Sequence, residues 1–153
     1  MTAVIQRVKS ASVRVDGATV GSCKEGLFIL LGVFSGDDER DAESLAAKIS
    51  KLRIFTDEND KLNLSVNDIG GDALVVSNFT LCANYSHGNR PDYISAEGPQ
   101  RANELYLYFA KKLGSLLTSG EVGLGAFGEH MVIDPVLDGP ITIVMDSKVL
   151  VKR

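Results

Sequence analysis

The stretch LFILLGVF, residues 27–34, is apolar throughout apart from one glycine. An apolar run of this length without polar alternation is typical of a strand that is covered on both faces. A helix is predicted to follow it, with Ser35 or Asp37 as its N-cap. The apolar residues of this helix recur at helical spacing at Ala42, Leu45, Ala46, Ile49 and Leu52. The segment is therefore a strand–helix unit.

A second unit of the same kind follows further along the chain. The stretch ALVVSNFTL, residues 73–81, predicts another central strand, and an amphipathic helix comes after a long loop. The apolar positions of that helix are Ala102, Leu105, Phe109, Leu113 and Leu116. Two such units indicate a mixed α/β fold whose two helices cover one face of the sheet.

The flanking segments predict further strands. Residues 3–17 alternate as two short strands around a bend at Lys9, Ser10 and Ala11. Residues 130–136 and 141–146 predict two more strands, joined by a turn through residues 137–140. The order is two strands, two strand–helix units and a final set of strands. No repeat or linker interrupts it, so a single domain over residues 1–153 is expected.

Composition narrows the classes of protein to consider. Of the 153 residues 44% are hydrophobic and 24% are charged, as in an ordinary globular domain, and the longest apolar run is too short to cross a membrane. The N-terminus lacks a signal-peptide pattern, and Cys23 and Cys82 read as reduced thiols, so a cytoplasmic location is expected. With a net charge of −4, contact with RNA is expected to be confined to a local patch.

The sequence context argues against both a dinucleotide-binding site and a metal site. GLGAFG, residues 123–128, fits the dinucleotide pattern, but a strand follows it where the pattern requires a helix. A glycine-rich turn is predicted there instead. His87 and His130 stand alone without metal-ligand spacing, so no metal site is expected.

The end of the second central strand leaves two interpretations open. Strand alternation places Asn78, Thr80 and Cys82 on one face, where they are either a solvated strand end or part of a site. A nucleophilic Thr80 or Cys82 needs a base within hydrogen-bond reach, and only His87 and His130 are available. Asp138, Gly139 and Pro140 likewise suit either an ordinary hairpin turn or a cis X–Pro bond.

Five ordered pieces together resemble one known family. The first piece is AVIQRV (residues 3–8) with ASV (11–13) and VDG (15–17), and the second runs from LLGV (30–33) through LRIF (52–55) to Ser65. The other three are SNFTL (77–81) with GNRP (88–91), GAFGEHM (125–131) and DGPIT (138–142). In this order and spacing the chain resembles the D-aminoacyl-tRNA deacylases of the bacterial and eukaryotic type, from Met1 to about Ser147.

The resemblance implies a cytosolic homodimer that hydrolyses the ester between a D-amino acid and the 3′-terminal adenosine of tRNA. It also implies clearance of glycine mischarged on tRNA-Ala, with no cofactor and no DNA or membrane partner. The catalytic wall of the pocket corresponds to Ser77, Asn78, Phe79 and Thr80.

The family's Gly-cis-Pro segment, which enters the partner subunit's pocket, corresponds to Gly139 and Pro140. Its carbonyls hold the substrate amino group and leave no room for an L side chain. Arg7 corresponds to the arginine that braces this segment, and Met131 to a residue near the terminal adenosine.

Two mechanisms fit this resemblance. In the first, the Thr80 hydroxyl attacks the ester carbonyl; in the second, water attacks it with help from backbone amides and the 2′-hydroxyl of the substrate. We favour the second, because Thr80 has no evident base. The chain has Asn78 where the family has glutamine, and Leu137 where it has asparagine. These departures argue for an alternative, a catalytically weakened relative that binds aminoacyl-tRNA 3′ ends or serves as an interaction module. The presence of Gly139-Pro140 together with Thr80 argues against it. A Cys82 thiol hydrolase is a further alternative, which requires His87 or His130 close to the sulfur.

Overall fold

One mixed sheet and two main helices make up most of the computed structural model, which describes residues 1–151. The last two residues of the predicted domain, 152 and 153, lie outside the described residues. The strands are β1 (Thr2–Val15), β2 (Ala18–Cys23), β3 (Gly26–Gly32), β4 (Phe55–Thr56), β5 (Leu62–Leu64), β6 (Asp72–Ser77), β7 (Val122–Leu124) and β8 (Val132–Asp146). The helices are α1 (Glu39–Ile49), α2 (Pro99–Leu116) and the short α3 (Ser147–Leu150), with a 3-10 turn at Phe79–Cys82.

The main sheet is nearly closed on itself. Its order is β2-β1-β3-β6-β7, with β8 paired to β1. β1 is antiparallel to β2, β3 and β8, whereas β3, β6 and β7 run parallel. The outer strands β2 and β7 approach so closely that a Cβ on Gly21 would lie 1.9 Å from the carbonyl oxygen of Leu124. Glycine at this position is what allows the two edges to meet.

Both main helices pack on one face of this sheet. Leu45 and Ile49 of α1 and Leu105 and Phe109 of α2 are fully buried in the same cluster as Ile29 of β3. This confirms the predicted mixed α/β class with two strand–helix units. None of the described helices is long and apolar enough to cross a membrane.

The opposite face of the sheet holds a second apolar cluster. Phe28, Leu74 and Val76 alternate with residues of the first cluster and meet Val8 of β1. Met131, half-buried, packs against them from the chain after β7. This second cluster forms the floor beneath the candidate site.

The N-cap of α1 differs from both predicted candidates. Asp38 is the cap: its side chain accepts a hydrogen bond from the Arg40 amide at 2.9 Å, and Asp41 accepts one from the Asp38 amide at 2.9 Å. Asp37 instead pairs with the buried ammonium group of Met1, 2.7 Å away, and accepts a hydrogen bond from the Phe34 amide. A carboxylate that neutralises a buried charge is unavailable for capping.

The prediction that a bend near Lys9 divides residues 3–17 into two strands is wrong. β1 is continuous; its residues 2–8 pair with β3 and residues 11–15 pair with β2. The predicted bend coincides with a register shift against β8 between Val8 and Ser10. β8 pairs with β1 on both sides of this shift, which keeps the chain extended through it.

The prediction of two strands joined by a turn at residues 137–140 is wrong, because both lie in the single strand β8. Of the two alternatives left open at residues 138–140, the hairpin is excluded and the cis Gly139-Pro140 bond is confirmed. The chain on both sides pairs with β1 in one antiparallel ladder, with Leu137 opposite Val8 and Thr142 opposite Gln6. Residues 138–141 therefore face Arg7 alone and form a large bulge within β8. Proline, which has no N–H to donate, is tolerated at such a bulge.

Candidate active site

A pocket of about 790 Å³ opens where the parallel strands β3 and β6 end. Its walls come from four places: the ends of the two strands, the 3-10 turn, the segment leading into α2, and residues 127–133 after β7. Ser77, Asn78, Phe79, Thr80 and Met131 all line it. The structure thus gathers five of the eight site residues expected from the sequence into one pocket.

The polar end of β6 is a turn. Asn78 leaves the strand with its amide donating to the Leu31 carbonyl at 2.8 Å, and it caps the following 3-10 turn. Its side-chain oxygen accepts hydrogen bonds from the Thr80 amide, at 3.2 Å, and from the Thr80 hydroxyl. The predicted strand face carrying Asn78, Thr80 and Cys82 is therefore wrong, because the chain stops alternating at Asn78.

The contacts of Thr80 bear on how it reacts. Its exposed hydroxyl donates to a carboxamide oxygen, which is too weak a base to take the proton. His130 lines the same pocket, whereas His87 lies in the loop after the 3-10 turn and does not line it. In the part of the chain that the structure describes, the Thr80 hydroxyl donates to Asn78 and not to a histidine, and this hydrogen bond orients it.

Cys82 lies beneath the site and does not line the pocket. Its buried thiol donates to the Val33 carbonyl oxygen at 3.4 Å, and burial raises the pKa of the thiol above its ordinary value. A thiol held in this way is a poor nucleophile. Among residues 1–151, no three His, Cys, Asp or Glu side chains lie close enough together to hold a metal ion.

The first amide of the 3-10 turn belongs to Phe79. The amides of the first turn of a helix have no partner within the helix. Asn78 satisfies the Thr80 amide through its side chain and the Leu81 amide through its carbonyl. Within the part of the chain that the structure describes, the Phe79 N–H has no acceptor. An unpaired amide on a pocket wall is suited to stabilise an oxyanion.

Gly139 and Pro140 do not line this pocket, and neither does Arg7. The Gly139-Pro140 peptide bond is cis, and both residues are exposed on the β8 bulge. Arg7 Nε donates to the Asp138 carbonyl at 3.0 Å and lies 3.2 Å from the Asp138 carboxylate. Its Nη1 donates to the Ile54 carbonyl at 3.0 Å and to the Thr56 hydroxyl at 3.1 Å. Arg7 thus ties the bulge to the segment around β4.

Aromatic residues that the sequence analysis did not single out complete the pocket. Tyr93 contacts Phe79 edge-to-face, with ring centroids 5.0 Å apart. Phe127 packs 6.0 Å from the ring of Tyr106, whose hydroxyl donates to the Val75 carbonyl at 2.9 Å. Burial raises the pKa of Tyr106 to about 12. The only sequence signal for Phe127 is its place in the glycine-rich stretch, whose first part forms β7 and whose remainder forms the predicted turn.

Comparison with known proteins gives the family. The family model described as D-Tyr-tRNA(Tyr) deacylase matches residues 4–146. The chain belongs to this family. A D-aminoacyl-tRNA deacylase of Paracoccus denitrificans is 52% identical over 147 residues, 96% of this chain and 97% of the relative. One of Caldicellulosiruptor saccharolyticus is 50% identical over 148 residues, 97% of this chain and 98% of the relative.

Two solved structures resemble this chain over nearly its whole length. The structure of a c-Myc DNA unwinding element binding protein superposes with a TM-score of 0.87 at 35% identity, covering 95% of this chain and 98% of that one. A probable eukaryotic D-amino acid tRNA deacylase superposes with a TM-score of 0.80 at 16% identity, covering 95% of this chain and all of that one. The second likeness concerns the fold alone.

Proposed function

We propose that this protein hydrolyses the ester bond of D-aminoacyl-tRNA, and of glycyl-tRNA mischarged on tRNA-Ala, in the cytoplasm. The family match over residues 4–146 supports the reaction class. The observation that carries the proposal is the pocket at the end of β6, which is lined by both Phe79 and Thr80. The 3′-terminal aminoacyl-adenosine occupies this pocket, with its adenosine beside Met131.

The proposed reaction is attack by water. The water oxygen adds to the ester carbonyl carbon, and the Phe79 N–H stabilises the oxyanion that forms. The bond between that carbon and the ribose 3′ oxygen then breaks. The ribose oxygen takes up the proton that the water loses, with the neighbouring 2′-hydroxyl as the relay. Thr80 orients the substrate or the water, which is consistent with its hydroxyl being bound to Asn78.

Chiral selection is proposed to come from a second copy of the chain. In one protomer Gly139 and Pro140 lie outside the pocket and are exposed. The same strand, β8, exposes four apolar side chains, Val132, Val136, Leu137 and Val144, at 49%, 54%, 49% and 70%. Apolar side chains on an edge strand suit burial against a partner subunit. In a symmetric homodimer each bulge would enter the partner's pocket, where its carbonyls hold the substrate amino group.

The two departures from the family pattern are compatible with this role. Asn78 caps the 3-10 turn, and asparagine is among the best N-cap residues, so the missing methylene costs the turn nothing. Leu137 lies in the ladder opposite Val8, before the bulge begins. Neither substitution removes the Phe79 amide or the Gly139 and Pro140 carbonyls.

Complementation between two inactive variants tests the proposal. One variant carries Gly32→Leu, which crowds the 3-10 turn because a Cβ there would lie 2.8 Å from the Leu81 side chain. The other carries Arg7→Ala, which releases the bulge. Each alone should release little D-amino acid from D-aminoacyl-tRNA. After mixing, unfolding and refolding together, half of the dimers are mixed and hold one intact site each, so about a quarter of the wild-type activity should return.

Two outcomes contradict parts of the proposal. A wild-type protein that releases no D-amino acid refutes the hydrolysis itself. An active wild type whose refolded variants fail to complement refutes the sharing of the site between subunits and leaves the reaction standing.

A further inference from the structure

The loop between the 3-10 turn and α2 lies next to the pocket, and the proposed reaction assigns no role to its tip. Its neck is closed by two backbone hydrogen bonds between Asn84 and Asp92, each 2.9 Å, and by one between their side chains at 3.0 Å. Beyond the neck, residues 85–91 are all exposed. A loop pinned at its neck in this way projects as a small hairpin that reaches at most about 10–12 Å.

Both ends of the loop are anchored at the site. On one side the 3-10 turn leads into it, and on the other Tyr93 lines the pocket and contacts Phe79. The chain after it is fixed to the end of β3, where the Glu97 amide donates to the Val33 carbonyl at 2.9 Å. The hairpin tip therefore stays close to the mouth of the pocket.

The chemistry of the tip differs from that of the rest of the protein. The chain carries a net charge of −4, but residues 85–91, YSHGNRP, contain Arg90 and His87 and no carboxylate. Tyr85 beside them is 78% exposed. A cation together with an exposed aromatic ring is the combination by which proteins hold a single-stranded nucleic acid, through the phosphate and the face of a base.

We propose that the tip of this loop binds the unpaired 3′ strand of tRNA immediately before its terminal adenosine, with Arg90 on a phosphate and Tyr85 stacked on a base. This inference rests on the proposed function, because it takes the terminal adenosine to occupy the pocket. Since the pocket accounts for one nucleotide and the loop reaches about 10–12 Å, the contact covers the next one or two nucleotides. The loop gives an acidic protein a local patch for RNA.

The test compares two substrates that share the scissile ester. One is a full-length D-aminoacyl-tRNA, and the other is the same D-amino acid on the 3′ oxygen of adenosine alone, which cannot reach the loop. The readout is the ratio of kcat/KM for the tRNA to kcat/KM for the adenosine ester, measured from 50 to 200 mM salt. Arg90→Gln should lower this ratio about threefold or more and reduce its logarithmic salt slope by about 0.7, the value for one single-strand phosphate.

Matched variants separate this contact from general charge effects. Arg90→Lys keeps the charge and should retain the salt slope, while Tyr85→Ala should lower the ratio roughly fivefold or more and leave the slope unchanged. Lys48→Gln, an exposed cation near the end of α1 that does not line the pocket, should change neither quantity. Thermal melting of each variant checks that the fold is intact.

The possible results distinguish a failure of the loop assignment from a failure of the proposed function. An unchanged ratio in both Arg90→Gln and Tyr85→Ala, with a wild type that cleaves both substrates, overturns the loop assignment and leaves the proposed function standing. An equal loss of ratio in Lys48→Gln also overturns it. A wild type that cleaves neither substrate overturns the proposed function, and the loop assignment falls with it.

Discussion

Replacing Arg7 by alanine removes the contacts that tie the β8 bulge to the rest of the molecule. The Arg7 side chain, 11% exposed, connects Asp138 on the bulge to the Ile54 carbonyl and to the Thr56 hydroxyl of β4, with all four contacts between 3.0 and 3.2 Å. Alanine leaves two backbone carbonyls, one carboxylate and the Thr56 hydroxyl without this donor. Lys9 lies 3.4 Å from the Asp138 carboxylate, so part of the electrostatic loss is compensated.

The expected cost follows from these contacts. Hydrogen bonds to a charged group contribute about 1.5–3 kcal/mol each, and the partly exposed groups regain water, so a loss of about 3 kcal/mol in unfolding free energy is expected. A bulge displaced by about 1 Å lowers the rate roughly 100-fold, which is about 2.7 kcal/mol of barrier. We therefore expect kcat/KM for a D-aminoacyl-tRNA to fall about 100-fold. Arg7→Lys should recover little, because one ammonium cannot span both sides.

Arg14→Ala is the matched control for this prediction. Arg14 also links β1 to β8, through Asp134 at 2.7 Å, but this pair is exposed. Exposed pairs contribute about 0–1 kcal/mol, so its loss should leave stability and kcat/KM nearly unchanged. The reasoning is refuted if Arg7→Ala keeps kcat/KM within about threefold of wild type, or if Arg14→Ala loses as much as Arg7→Ala.

Three further predictions concern stability and the nucleophile. Asp37→Asn removes the carboxylate that pairs with the buried Met1 ammonium, which keeps its hydrogen bond to the Ser147 hydroxyl, and should lower the unfolding free energy in urea by about 3–5 kcal/mol. Asp38→Asn keeps a good N-cap and should cost under about 1 kcal/mol; equal losses would contradict this. Burial raises the pKa of the Cys23 thiol to about 11 in the folded protein. Because the unfolded chain loses this proton at lower pH than the folded protein does, the unfolding free energy should fall by about 2–3 kcal/mol as pH rises from 9 to 11. Cys23→Ala should show a flatter pH dependence over that range, and an identical slope would argue against the shift. Thr80→Val should lower kcat less than about tenfold, because the hydroxyl orients and does not attack; a loss of about 10⁴ would instead indicate a covalent route.

The two strand–helix units are predictable from sequence because their signals are local. Apolar residues recur at helical spacing along α1 and α2, and burial on both faces makes β3 an apolar run. The N-cap of α1 is harder to predict, because Asp37 and Asp38 are adjacent residues of the same type. Their roles are separated by Met1, which is distant in the chain and provides the buried charge that Asp37 neutralises.

The errors in the strands have a different cause. Gly139 and Pro140 predict a turn correctly, but whether a turn reverses the chain or forms a bulge depends on the partner strand. Here β1, more than 120 residues earlier, pairs with both sides of the bulge. In the same way Asn78 ends β6 because its side chain caps the next turn, which strand alternation cannot anticipate.

The site itself was predictable in part. The family resemblance pointed to Ser77, Asn78, Phe79, Thr80 and Met131, which line one pocket. Tyr93 and Phe127 come from irregular segments without periodicity, so nothing in the sequence pattern indicates that they form a pocket wall. The roles assigned to Gly139, Pro140 and Arg7 remain predictions.

The most direct test of the central claim is the chirality of hydrolysis. The purified protein is given D- and L-aminoacyl-tRNA carrying the same amino acid, together with glycyl-tRNA, and the release of amino acid is followed over time. If main-chain carbonyls hold the amino group and block the position of an L side chain, selection works by exclusion. Several chemically unlike D-esters and the glycyl ester should then be cleaved while L-esters persist. Cleavage of the D- and L-esters at comparable rates would contradict the account.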